Sequence, residues 1–213
     1  MQRATRLAGR TLGHVAMDYG ITVPRDLKRA KGWTGKLMEL ALGATASTLP
    51  EPDFEYIGVE LKTLPIGVNG RPRESTYICT VPLATAKRPD WHDSTVKKKL
   101  SRVLWVPFEA DRGLGIALRR ISNPFLWSPD HLQERILRGD WEEFMERIAL
   151  GELDHINARH GRALQIRPKA ANAGAVMRTA TASGEPGPTL PRGFYLRSGF
   201  TWEILKKVQS STF

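Results

Sequence analysis

Asp53, Glu60 and Lys62 lie close together in the stretch Pro52-Asp53-Phe54-Glu55-Tyr56-Ile57-Gly58-Val59-Glu60-Leu61-Lys62. Two carboxylates converging with one ammonium suit a hard divalent cation such as Mg²⁺, which prefers oxygen ligands and is often held by one or two carboxylates plus phosphate. Such a cation polarises a phosphodiester and activates water, while the lysine stabilises the hydroxide or the developing charge. The chemistry this implies is phosphodiester hydrolysis. An acid and a lysine two residues apart on a strand are also the ordinary make-up of a solvated face, so the spacing alone does not decide.

The element that must position these groups is a strand. From Ile57 to Leu61 the apolar residues alternate, putting Ile57, Val59 and Leu61 on one face. Gly58, Glu60 and Lys62 then fall on the other, predicted to be open, face. Asp53 precedes it on a chain turned by Pro50 and Pro52. Upstream, Lys31-Gly32-Trp33-Thr34-Gly35 reads as a glycine-flanked turn, with Thr34 as cap of a helix from Gly35 to about Leu42. Leu37, Met38, Leu40 and Ala41 make that helix largely buried, with Glu39 in its middle. A buried acid is costly unless it is paired or helps to hold a metal; a glutamate snorkelling at the helix edge reads equally well.

The 213 residues suffice for one large domain or two small lobes with a real core. A formal charge of +10, spread along the chain, points to a polyanionic partner, nucleic acid ahead of membrane, against the plainer reading of a generally basic protein. The single cysteine, Cys79, forbids an internal disulfide and suits a reducing cytoplasm; it reads as a core residue. There is no apolar run long enough to span a membrane, no signal-peptide core and no internal repeat.

Other elements follow from pattern. Residues 4–18 suggest one short amphipathic helix, and Asp26 to Ala30 a helical turn. Asn69-Gly70 signals a hairpin from the Glu60 strand to a return strand from Ser75 to Val81, with Tyr77 and Cys79 on one face and Ile78 on the other. Asp93-Ser94-Thr95 caps a short helix carrying Lys97, Lys98 and Lys99, a solvated face that also suits phosphate contact. Val103 to Phe108 is a central strand. Ser128-Pro129 opens a helical region continued by Trp141, Phe144, Ile148 and Leu150 and interrupted at Gly139. His155 and His160 lack metal-ligand spacing. Leu164 to Arg167 is a strand, Ser183 to Arg192 a loop, Phe194 to Leu196 a strand, and Thr201 to Val208 a final helix. Basic residues near a proline and an aromatic, as at Arg167 to Lys169, suit a DNA groove or simply a charged surface.

Several ordered blocks resemble the MutH family of methyl-directed DNA mismatch repair endonucleases. They are Lys-Gly-Trp-Thr-Gly-Lys-Leu-Met-Glu at 31–39, Asp-Phe-Glu-Tyr-Ile-Gly-Val-Glu-Leu-Lys-Thr at 53–63, Arg-Val-Leu-Trp-Val-Pro at 102–107 and Leu-Trp-Ser-Pro at 126–129. Ala-Arg-His-Gly at 158–161, Leu-Gln-Ile-Arg-Pro-Lys-Ala-Ala-Asn-Ala at 164–173 and Leu-Pro-Arg-Gly-Phe-Tyr-Leu at 190–196 complete the set. The resemblance implies an α/β, restriction-endonuclease-like fold: one endonuclease domain over 1–213, its mixed sheet flanked by helices and its two lobes forming a DNA-binding cleft. Catalytic strands would lie at about 53–108 and DNA-reading loops at about 164–196.

It also implies a Mg²⁺-dependent nick 5′ of an unmethylated GATC in hemimethylated DNA, with Mn²⁺ or Ca²⁺ substituting in binding. Asp53, Glu60 and Lys62 take the family's catalytic positions and Glu39 that of the supporting helix acid; Asp53, Glu60 and the Leu61 carbonyl would hold the metal. Lys31, Tyr77, Arg167, Pro168, Lys169 and Tyr195 fall where family members contact DNA or sense the adenine methyl group, Tyr77 replacing a phenylalanine. The implied partners are GATC duplexes and an activating ATP-bound MutL, with MutS upstream, for a cytoplasmic monomer. The chain starts late relative to familiar members, leaving any regulatory role of its ends open. A stand-alone GATC restriction enzyme making double-strand breaks and a non-catalytic DNA-binding module are the alternatives.

Overall fold

The computed structural model describes residues 1–45, 50–83, 90–169, 177–180 and 186–210. In it the apolar run starting at Val103 forms strand β3 (Val103–Glu109), buried over its first six residues. Its β-branched and aromatic content suits a strand covered on both faces. It runs parallel to β1 (Glu60–Ile66) and antiparallel to β4 (Phe125–Trp127), so β3 is central, as expected, and β1 is an edge. This sheet belongs to the first of two compact units, made of Met1–Glu74, Lys99–Ser128 and the chain from Trp202 onward.

On one side of this sheet, Leu61, Leu104, Val106 and Phe108 join Leu12, Val15, Leu37, Met38 and Ala41 in a continuous core. Each such side chain contributes about 1.5–3 kcal/mol by leaving water. The helices covering it differ from the expected ones. Residues 4–18 are two helices, α1 (Gln2–Thr5) and α2 (Leu12–Asp18), separated by Gly9 at φ +77° and restarted by Thr11, whose side chain accepts the His14 amide. Helix α3 (Trp33–Leu42) starts two residues early because Gly32, at φ +80°, serves as its cap; Thr34 is buried inside it, and Leu40 is exposed.

The second unit comprises Ser75–Lys98 and Pro129–Thr201. Its antiparallel sheet has the order β2 (Thr76–Thr80), β8 (Arg192–Leu196), β5 (Leu164–Pro168). The Asn69-Gly70 reversal exists, closed by an Ile66–Pro72 bridge, but β2 then pairs with β8 and not with β1. A register shift between Tyr77 and Cys79 lets both Ile78 and Cys79 be buried, breaking the expected alternation.

Helix α4 (Thr95–Leu100) is capped by Ser94, whose Oγ accepts the Lys97 amide at 3.0 Å. Helix α5 (His131–Ala149) begins later than Ser128, at a capping box between Asp130 and Gln133, and passes through Gly139 unbroken. Asp140 on α5 is 6% exposed and accepts the backbone N–H groups of Arg162, Ala163 and Leu164, pinning the start of β5. β6 (Met177–Ala180) and β7 (Pro186–Thr189) form a two-stranded ribbon, so 186–189 is strand where a loop was expected; residues 183–185 lie outside the described residues, as do Ala170 to Ala173. Helix α6 (Ser198–Ser210) is the last element among the described residues. Among the described residues no helix is long and apolar enough to cross a membrane.

Candidate active site

The chain reaches Asp53, turns, and comes back along itself. Phe54 and Val59 exchange two backbone hydrogen bonds, of 2.9 and 3.2 Å, around a 3₁₀ turn at Glu55–Ile57. Gly58 completes the reversal at φ +59°, a conformation that favours glycine. The expected strand from Ile57 therefore starts only at Glu60, and Ile57 is exposed. The turn returns Glu60 and Leu61 to the side of Asp53, which is 5% exposed; Asp53 Oδ2 accepts the Leu61 amide at 2.8 Å. Glu60 donates its own amide the other way, to Arg102 O at 2.9 Å. Leu61 thus presents its backbone at the open edge of β1, beside the Asp53 carboxylate.

Glu60 is not on an open face. It is 1% exposed, and its carboxylate is held by two lysines. Lys62 Nζ donates to Oε1 at 2.5 Å; Lys99 Nζ donates to Oε2 at 2.9 Å and to Oε1 at 3.1 Å. The third Lys99 contact is the Glu51 carbonyl at 3.1 Å. Lys99, expected on a solvated lysine face, is only 8% exposed and lies within the carboxylate cluster. Its place had a signal in the pattern: Val96, Lys99 and Leu100 share one helix face at spacings of three and four, and all three are buried. Lys98 is exposed, and Lys97 pairs with Glu134.

Glu39 on α3 is half-buried and electrostatically part of the same group. Burial, then the neighbouring Asp53 carboxylate, push its carboxyl above the usual range, with Lys62 and Lys36 acting in the opposite sense. Asp53 is raised likewise, by burial and then by Glu60; the Leu61 amide, Lys62 and Lys99 lower it. Carboxylates that raise one another while partly desolvated mark a place where added positive charge is favourable. Among the described residues no group of three or more His, Cys, Asp or Glu forms a ready-made metal cage. A cation here would rest on one or two carboxylates, the backbone and a bound phosphate, the usual habit of Mg²⁺.

The expected DNA-contacting residues on the second unit also gather. The Tyr77 and Tyr195 rings meet edge to face at 5.3 Å, covering Gly193, where an added Cβ would lie 2.8 Å from the Tyr77 ring. Lys169 Nζ sits 4.9 Å from the Tyr77 ring centroid and donates to Tyr77 Oη at 3.1 Å and to Thr80 Oγ1 at 3.4 Å. Arg167 Cζ lies 6.0 Å from the Tyr195 centroid, and Pro168 ends β5 between these two cations. Residue type alone signals no such role for Thr80 or Gly193. Lys31 is exposed just before α3 and, among the described residues, shares no hydrogen bond or ion pair with the carboxylates. His160 Nδ1 accepts the Asn157 amide.

Residues 42–140 match the family model described as DNA mismatch repair enzyme MutH. The chain is 52% identical over 207 residues to the DNA mismatch repair protein MutH of Vibrio parahaemolyticus serotype O3:K6, covering 97% of this chain and 92% of that one. The protein of the same name from Shewanella sp. (strain MR-4) is 50% identical over 208 residues, covering 98% and 93%, and that from Salmonella typhi is 52% identical over 207, covering 97% and 90%.

Proposed function

Because this chain belongs to the family of the DNA mismatch repair enzyme MutH, we propose that it is a Mg²⁺-dependent endonuclease that nicks the unmethylated strand 5′ of GATC in hemimethylated DNA. The observation that carries this reading is the meeting of buried Asp53 and Glu60 with half-buried Lys62 in one cluster of a chain with charge +10. In this reading the fold is restriction-endonuclease-like, with two lobes forming a DNA-binding cleft. MutL activates the enzyme and MutS acts upstream; the enzyme works in the cytoplasm as a monomer.

The donor set fits a hard cation. Asp53 has one oxygen committed to the Leu61 amide and the other without a hydrogen bond among the described residues. Asp53 and Glu60, with the Leu61 carbonyl at the same strand edge, would hold the ion. When bound, Mg²⁺ supplies Lewis acidity to the scissile phosphate and lowers the pKa of water. Lys62 orients the attacking water and offsets its charge as the 3′-oxygen leaves. Glu39 keeps the cluster anionic and so favours the cation. On the second unit, Arg167 and Lys169 meet phosphates or base edges, while Tyr195 and Pro168 pack where the major groove displays adenine N6 and exclude a methyl group there.

The test compares unmethylated, hemimethylated and fully methylated GATC duplexes, with and without Mg²⁺ and MutL. The reading requires Mg²⁺-dependent single-strand nicks on unmethylated strands, accelerated by MutL with ATP. Double-strand breaks at full rate without MutL would identify a stand-alone restriction enzyme, and no cleavage under any condition a binding module.

A further inference from the structure

Glu60 is the proposed cation ligand, yet both of its oxygens already accept hydrogen bonds from lysine. Lys99 spans Oε1 and Oε2 at 3.1 and 2.9 Å, and Lys62 holds Oε1 at 2.5 Å. An ammonium group has three donors and no acceptor. With the Glu51 carbonyl as its third partner, Lys99 is fully satisfied where it stands. Glu60 and Lys99 are 1% and 8% exposed, so little water is available to replace either partner.

We propose that Lys99 is an internal stand-in for the metal: it holds Glu60 in the free protein and yields that carboxylate when a phosphodiester arrives, so that cation and DNA load together. This rests on the metal-dependent nuclease reading above. The charges lead to it. With all groups ionised, Glu39, Asp53 and Glu60 against Lys62 and Lys99 leave one net negative charge; Lys36, which also acts on Glu39, is exposed and screened by solvent. A divalent cation alone turns that into one positive charge, and a phosphodiester alone into two negative ones. Both together bring the cluster to neutrality. Uncompensated charge is expensive in a poorly solvated site, so each ligand favours the other, and such coupling is reciprocal. The arriving phosphate also offers the Lys99 ammonium a replacement anion. Lys99 is thereby a positioning residue that sets when Glu60 becomes available.

The test is calorimetric titration of Ca²⁺ into the full chain, alone and with a hemimethylated GATC duplex. Wild type should bind Ca²⁺ weakly alone and more tightly with the duplex. Lys99→Met removes the ammonium and keeps the apolar stem, so Ca²⁺ affinity without DNA should rise by about tenfold and the gain from DNA should shrink. Lys99→Arg retains a competing cation and should keep the wild-type pattern. If circular dichroism shows Lys99→Met unfolded, Lys99→Gln must show the same gain. The inference is overturned if the folded variant binds Ca²⁺ no more tightly than wild type without DNA, or if wild type binds Ca²⁺ equally with and without the duplex. Absence of Ca²⁺ binding to wild type even with the duplex would instead remove the metal-dependent reading itself, and the inference with it.

Discussion

The Asp53 carboxylate accepts the Leu61 amide at 2.8 Å across the turn that separates them. This bond makes an acid before the turn part of the strand after it. It holds Asp53 in place and commits one carboxylate oxygen, the other having no hydrogen bond among the described residues. The acids are brought together by backbone geometry, at an electrostatic cost that the fold bears.

That cost has a sign. Burial and neighbouring acids raise the carboxyls of Asp53 and Glu39 in the folded state. A carboxyl with a raised folded pKa holds its proton more tightly when folded, so the stability these two groups contribute is fully present below the ordinary carboxylate range. It is lost as pH rises through the raised folded value. Asp53→Asn removes one such charge and keeps a side-chain oxygen for the Leu61 amide. Thermal unfolding should show a higher midpoint than wild type at neutral pH without divalent cations, the difference vanishing below about pH 4. A lower midpoint at neutral pH would contradict this.

Tyr195 packs edge to face on Tyr77, with Arg167 Cζ 6.0 Å from its ring centroid, and is the residue proposed to sense the adenine methyl group. Tyr195→Ser should cleave hemimethylated and fully methylated GATC at more nearly equal rates, with the preference for unmethylated strands reduced about tenfold or more. An unchanged preference in competition assays would remove Tyr195 from the discrimination step.

Asp140 receives three successive backbone N–H groups at the start of β5, the strand that carries Arg167 and Pro168. Asp140→Ala leaves those donors unpaired and should cost about 3 kcal/mol in urea unfolding, whereas Asp140→Asn, retaining one acceptor, should cost less. A loss below about 0.5 kcal/mol for the alanine variant would show that the pin is dispensable.

How far the site could be read beforehand depends on how local its geometry is. Asp53, Glu60 and Lys62 lie in one short stretch, and their chemistry follows from residue type and period. The burial of Glu60 does not, because alternation distinguishes two faces without saying what covers each. Lys99 covers it from a helix 39 residues away. Glycine decided two further points: Gly9 splits the first helix, and Gly32 caps α3 in place of Thr34. Asn69-Gly70 signalled a reversal correctly, but a turn does not dictate which strand its second arm joins, and β2 goes to β8. The Pro- and Gly-rich residues 186–189 still form an outer ribbon strand, β7, which proline tolerates at an edge.

The most direct test of the central claim follows Lys62, whose ammonium meets Glu60 at 2.5 Å in the cluster that also holds Asp53. Strand-resolved, single-turnover cleavage of a hemimethylated GATC duplex should be measured for wild type and Lys62→Ala across a Mg²⁺ titration, with duplex binding followed in parallel. Wild type should cut only the unmethylated strand, 5′ of the G, and only with Mg²⁺. Lys62→Ala should lose at least about a hundredfold in rate while binding DNA nearly as well. Cleavage by Lys62→Ala at the wild-type rate would contradict the proposed role of Lys62.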